Sequence, residues 1–325
     1  MKKLHIVTLF GQSYMSRGLA MIESIKKNAS LPLKFTVLTM DDSTYDYLNS
    51  SKIHQVNLLA LHEFQDRRFQ SLTGVRPFRE LCWTAASCLT NVVFQSDQES
   101  DFIIYVDADC FFFTDIANMI GKWNQESNIF VHEHRYSSER KQWEDSSGKF
   151  NVGVVGFRTR VNESRSCLER WRLQVLNLCE LIPEKGYCGD QGYLNEWPDL
   201  YPGLQIMRSC GEGAAPWNIE PLRVHRVAAD LEVEDEKLIF YHFHALRISY
   251  NRRWHIIFTH FAAGYTIPVS VRKLVYKPYL KILRGINRRL MAAGFAPTEI
   301  GLTDVKVGEI VASGNAKQRL IQLLL

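Results

Sequence analysis

Two periods of apolar residues alternate along the first hundred positions. Leu4–Phe10, Phe35–Met40 and His54–Leu58 are short runs bounded by polar or turn-forming residues, as β-strands are. Between the first two, Met15–Lys27 carries Leu19, Ile22 and Ile25 at helical spacing, and Asn28 and Ser30 close it. Phe78–Phe94 predicts a second helix. Phe102–Val106 then runs apolar without a break, the pattern of a strand covered on both faces. Strands alternating with helices predict βα units and a mostly parallel sheet.

The middle of the chain has a different pattern. Ile129–His132 and Asn151–Phe157 predict strands, separated by a polar loop over 135–149. A loop of that length in a compact domain is usually functional or disordered. Glu163–Cys179 predicts an amphipathic helix with Leu168, Trp171, Val175 and Leu178 on one face. A turn-rich stretch runs from Pro183 to Pro221, and Leu238–Phe243 predicts a last strand. No internal repeat or low-complexity segment is found.

Charge divides the chain. Residues 251–325 hold 12 Lys/Arg against 3 Asp/Glu, a net of +9, whereas 1–250 hold 27 against 32, a net of −5. We therefore read 1–250 as the main domain and 251–325 as a basic helical C-terminal extension. An acidic body is not the pattern of a nucleic-acid binder. In the extension, Arg272, Lys273, Lys277, Lys281, Arg284, Arg288 and Arg289 interleave with apolar residues, with Pro278 interrupting. Such a segment suits the solvated face of a packed helix or an anionic membrane surface, and the second reading is preferred. Seven cysteines show no CxxC spacing, so no zinc knuckle is expected; their scatter suits reduced thiols in the cytoplasm. The apolar stretch after Lys2-Lys3 is short and lacks a small-residue cleavage site, so no signal peptide is expected. No apolar run reaches spanning length.

The candidate chemistry begins at the end of Phe102–Val106. Asp107 and Asp109 stand at i and i+2 of an extended segment, so both carboxylates project to one side. Ligands of open α/β sheets sit beyond the carboxyl ends of the strands. Paired hard oxygens there suit Mg²⁺ or Mn²⁺ bridging a diphosphate. A strand-end turn, where Asp is common, is the competing reading.

With these motifs the chain resembles the retaining glycosyltransferases of family 8, a group with the GT-A fold that includes lipopolysaccharide galactosyltransferases and glycogenin. Over about residues 4–250 the likeness rests on Val7-Thr8-Leu9 with Gly18 and Ser24-Ile25, on Asp107-Ala108-Asp109, on Phe150-Asn151-Val152-Gly153, on Asp190-Gln191 with Leu194-Asn195, and on His242 with Ala245. There are departures. Ala245 replaces the glycine of HxxG, the following Lys-Pro-Trp is absent with Arg247 and Arg252 the nearest cations, and the uracil-stacking tyrosine is displaced to Tyr14.

The resemblance implies a Rossmann-like mixed, mostly parallel sheet flanked by helices, and transfer of a hexose from a UDP-sugar with retention. It implies a metal on Asp107, Asp109 and His242, and nucleotide-sugar contacts from Thr8, Leu9, Tyr14, Arg79, Asp107, Ala108 and Asn151. Asp190 and Gln191 would lie near the sugar. The leaving phosphate takes the acceptor proton, or Asp190 serves as the nucleophile of a double displacement. Trp217 and Asn218, after Gly213-Ala-Ala-Pro216, either meet a sugar or plug the core. The acceptor would be a saccharide or lipid-linked saccharide for a surface polysaccharide or lipopolysaccharide, consistent with a cytoplasmic protein peripheral on the inner membrane. The alternatives are a catalytically silent carbohydrate- or nucleotide-binding protein on the same frame, or a sugar nucleotidyltransferase, which would need a Gly-rich basic loop where Phe10-Gly11-Gln12-Ser13 stands.

Overall fold

The computed structural model describes residues 2–51, 53, 55–122, 126–182, 187–251, 256–261, 265–304 and 321–322. His54 and Arg252 lie outside the described residues.

Along the chain come β1 (Leu4–Phe10), α1 (Met15–Asn28), β2 (Leu33–Thr39), α2 (Asp42–Ser50), β3 (Val56–Ala60), α3 (Phe78–Ser96), β4 (Phe102–Val106) and β5 (Cys110–Phe112). Then follow β6 (Ile129–Glu133), β7 (Phe150–Arg158), α4 (Asn162–Asn177), β8 (Leu204–Met207), β9 (Glu212–Ala214), β10 (Phe240–His242), β11 (Leu246–Asn251), α5 (Lys277–Ala292) and β12 (Leu302–Asp304). The central sheet has the order β8-β6-β7-β4-β1-β2-β3. Only β7 runs against its neighbours, β4 and β6. The sheet is thus mixed and mostly parallel, with helices covering it.

The apolar runs explain this arrangement. β1 and β4 are buried along their whole length, so each needs cover on both faces. One face packs on α1, the other on α3 and α4, giving two apolar clusters. β8 was not foreseen. Its residues are mostly half-buried, and a half-covered edge strand shows no clear alternation. The loop over 135–149 is ordered, with short helical turns at Ser138–Arg140 and Trp143–Ser147.

The extension packs on the body. Residue 250 lies inside β11, which pairs with β12. α5 buries Tyr279, Leu280, Leu283, Ile286 and Leu290 in the cluster that also holds Leu4, Ile6 and Leu19. Pro278 does not end the helix. A π-helical turn over Arg272–Tyr276 precedes it and takes up the missing amide. Tyr276 and Tyr279 then meet β10 from behind. The Phe243 ring stacks on Tyr279 at 3.7 Å, and the Tyr241 and Tyr276 hydroxyls are 3.2 Å apart. Lys273, Lys277, Lys281, Arg284 and Arg288 fall at four- and three-residue steps along the outer side, and residues 265–298 contain no acid.

One close approach in the sheet demands glycine. Gly156 opposes Phe130 in the β6–β7 ladder, and a Cβ there would lie 1.6 Å from the Phe130 ring. Gly156→Ala should therefore lower stability by about 1–3 kcal/mol in denaturant unfolding; an unchanged midpoint would show that the ring has room to move.

Candidate active site

The sheet order decides what gathers at the carboxyl edge. β4 ends at Val106, and Tyr105 and Asp107 fall on one face of the strand, so the Tyr105 hydroxyl donates to Asp107 Oδ1 at 2.9 Å. The Asp107 amide is held by Gly153 O of β7, and Cys110 N closes a turn onto Asp107 O. This turn presents Asp109 two residues later. β5 continues from it and pairs antiparallel with β10, His242 opposite Cys110. Phe243 N donates to Asp109 O, which fixes the end of β10 beside the turn.

The pairing delivers the imidazole to the carboxylates. His242 Nε2 lies 3.0 Å from Asp109 Oδ1 and 3.9 Å from Asp107 Oδ2. The three side chains have ligand atoms within 4.8 Å of one another. Two carboxylates and an imidazole form a suitable donor set for Mn²⁺ or Mg²⁺. His244, one pleat further on, is exposed; its ring stands 5.9 Å from that of His242.

Burial and charge act against each other here. Burial pushes the Asp107 carboxyl up, and the neighbouring Asp109 adds to this. Burial also works against ionisation of Asp109, but the charge and hydrogen bond of His242 outweigh it and hold that carboxyl at about 2. The same attraction raises His242 despite its burial. Asp190 is raised well above the usual range, by burial first and the Asp107 charge second.

The other candidate residues fall into groups. Tyr14, in the turn after β1, lies close enough to Asp109 for that charge to be the main cause of its raised pKa. Arg17 stacks on its ring at 4.7 Å, and Arg79, exposed in the first turn of α3, also acts on it. Thr8 is fully buried in β1, and Leu9 and Ala108 are nearly so. Asn151 and Gln191 are joined by a hydrogen bond of 3.2 Å. Trp217 and Asn218 are each 3% exposed. Trp217 Nε1 and Asn218 Nδ2 both donate to His134 O, and the Trp217 ring packs edge-on against His242. Arg247 is exposed on β11.

Ala245 adopts φ +57°, the left-handed conformation that favours glycine. Holding an alanine there costs about 1–2 kcal/mol.

His134 was not singled out in the sequence. It lies just past β6, buried, with Nε2 accepting from Asn151 Nδ2 at 3.2 Å. Its only sequence signal is its place beyond the end of a strand on this edge.

No protein-family model matches the chain. Over 287 residues it is 26% identical to the uncharacterized protein YfnD of Bacillus subtilis (strain 168), covering 87% of this chain and 90% of that protein. A second protein of the same organism, the uncharacterized protein YfnF, is 26% identical over 249 residues, covering 74% and 81%. Among solved structures the chain is similar to the galactosyltransferase LgtC in complex with donor and acceptor sugar analogs. The TM-score is 0.54 at 9% identity, over 86% of this chain and 95% of that one. It is also similar to mouse xyloside xylosyltransferase 1 in its apo form, with a TM-score of 0.47 at 11% identity, over 74% and 98%. The fold is that of the GT-A glycosyltransferases.

Burial holds His134 near 3, and the charge of His242 adds to this. The sign follows. Between about pH 6.5 and 3 the unfolded chain binds a proton that the folded one refuses, so stability rises with pH across that window and is lost on acidification. Unfolding at pH 5 rather than 7 should cost the wild type about 2 kcal/mol more stability than it costs His134→Gln; equal losses would remove His134 from the account.

Proposed function

We propose that this chain is a metal-dependent glycosyltransferase. It would move a hexose from a UDP-sugar to a saccharide or glycolipid acceptor, with retention, in surface polysaccharide or lipopolysaccharide synthesis. The observation that carries the reading is the group of half-buried Asp107 with buried Asp109 and His242 at the carboxyl edge of β4 on a GT-A frame. A bound Mn²⁺ or Mg²⁺ would supply positive charge to the departing diphosphate.

In this reading Thr8, Leu9 and Tyr14 face the nucleoside, because β1 and β2 lie on one side of β4. Arg79 offers a cation near Tyr14. Ala108 leaves room between the two carboxylates. Asp190 and Gln191 orient the sugar. Burial is the larger cause of the raised Asp190 pKa, and it persists when a cation neutralises Asp107. A protonated carboxyl is a poor nucleophile, which supports the path in which the leaving phosphate takes the acceptor proton.

The acceptor side belongs to β6 and β7, across β4 from the nucleoside. There Trp143 meets Tyr136 at 6.1 Å and Tyr265 at 5.9 Å, all three rings half-buried. Arg140 sits under Trp143 and Tyr265 at 5.8 and 5.5 Å. Half-exposed rings of this kind suit the apolar C–H face of a sugar. Trp217 and Asn218, both buried, would then act on the acceptor only indirectly, through His134 and, for Trp217, also through His242.

No helix among the described residues is long and apolar enough to cross a membrane. The cationic side of α5 and the turn before it supports peripheral attachment to the cytoplasmic face of an anionic membrane.

Two measurements test these readings. UDP at about 100 times its Kd should raise the melting temperature by about 4 °C with Mn²⁺ or Mg²⁺ present and not with chelator. Asp109→Ala should abolish both that shift and UDP-sugar hydrolysis. A shift independent of metal would sink the reading. For the membrane, replacing Lys273, Lys277 and Lys281 by Glu should weaken sedimentation with phosphatidylserine vesicles by about 100-fold or more, with the fold kept. Unchanged sedimentation would make this side a plain solvated surface.

A further inference from the structure

Asn151 has four hydrogen-bonding positions, and the structure fills all of them. Its Oδ1 accepts the Gly153 amide at 2.9 Å and faces His242 Nδ1 at 3.1 Å. Its Nδ2 donates to His134 Nε2 and to Gln191 Oε1, each at 3.2 Å. Gln191 in turn donates to Ser147 O at 2.8 Å, in the segment that follows β6. The side chain is buried, and nothing is left over for a substrate.

The Gly153 amide can only donate. It therefore fixes which end of the Asn151 carboxamide is oxygen. An oxygen facing Nδ1 obliges His242 to carry its proton there. With that proton fixed at Nδ1, it is Nε2, 3.0 Å from Asp109 Oδ1 and 3.9 Å from Asp107 Oδ2, that would give up its proton and offer its lone pair to a metal held in this corner. Gly153 makes the contact sterically possible. A Cβ there would sit 2.5 Å from Asn151 Oδ1 and 2.7 Å from His242 Nδ1.

We infer that Asn151 is a positioning residue for the metal site. It sets the tautomer and aim of His242 and ties that imidazole to Gln191, rather than touching the sugar nucleotide itself. This rests on the metal reading of the Asp107, Asp109 and His242 group. Partners of this kind behind a ligating imidazole typically control metal affinity by 10- to 100-fold.

The test is Mn²⁺ binding to the full-length protein without nucleotide, followed by the free-ion EPR signal. Asn151→Ala should weaken binding by about 10- to 100-fold. Asn151→Asp keeps an oxygen facing both Nδ1–H and the Gly153 amide, and should bind Mn²⁺ within a few-fold of wild type. Asn151→Ser, too short to reach His242, should behave as Ala does and serves if the Ala variant does not fold. In the Mg²⁺-loaded protein, imidazole ¹⁵N shifts should report His242 protonated at Nδ1. Wild-type affinity in both short variants, or an Nε2–H tautomer, would overturn the inference. Wild-type protein that binds no Mn²⁺ would instead overturn the metal reading, a result seen before any variant is made.

Discussion

The short antiparallel pairing of β5 with β10 is what the candidate site depends on. It places His242 opposite Cys110 and so within 3.0 Å of Asp109. Without it the two aspartates would be an ordinary strand-end turn. The pairing is held from both sides. Behind it, Tyr276 and Tyr279 of the C-terminal segment pack against Tyr241 and Phe243. In front, Asn151 and Trp217 contact the imidazole. The strand alternation makes this economical. Tyr241 and Phe243 face the aromatic support, while His242 faces the carboxylates.

Two carboxylates and an imidazole gathered in one largely buried corner, with only Asp107 partly open to solvent, are expensive to assemble. The opposed shifts of Asp107 and Asp109 record that cost: one carboxyl is held down by His242, and the other is left to bear the desolvation. The hydrogen-bond network around them is closed on the far side, through Asn151, His134 and Gln191, so reorientation of one member disturbs the rest.

Much of the fold could be read from the sequence, because β1, β4 and β7 are buried along nearly their whole length and so are continuously apolar. Asp107 and Asp109 were legible for a related reason: a carboxylate pair stands out at the end of such a run. Other features left weaker traces. β8 is an edge strand, and β9 has only three residues. The polar 135–149 stretch gains its order from contacts distant in sequence, such as Arg140 with Glu220. Ring type alone could not show that Trp217 would be buried, because a tryptophan that stacks on a ligand and one that plugs a core look alike. The extension's interleaved charges fitted both a membrane surface, the preferred reading, and a packed helix, and only the burial of Tyr279, Leu283 and Ile286 shows that its apolar side is occupied.

The β5–β10 pair also bears on how the protein acquires its site during folding. Residues 113–239 intervene between the two strands, and they include β6, β7, α4 and β8. Closing so long a loop is unfavourable until much of the intervening chain has condensed. Asp107 and Asp109 are in place once the β4 end of the sheet exists, but His242 reaches them only with the later part of the chain. On a ribosome the corner would therefore be completed among the last features of the molecule. A half-made protein would carry the aspartates without the imidazole, so competence to hold a cation would mark a chain that has finished folding.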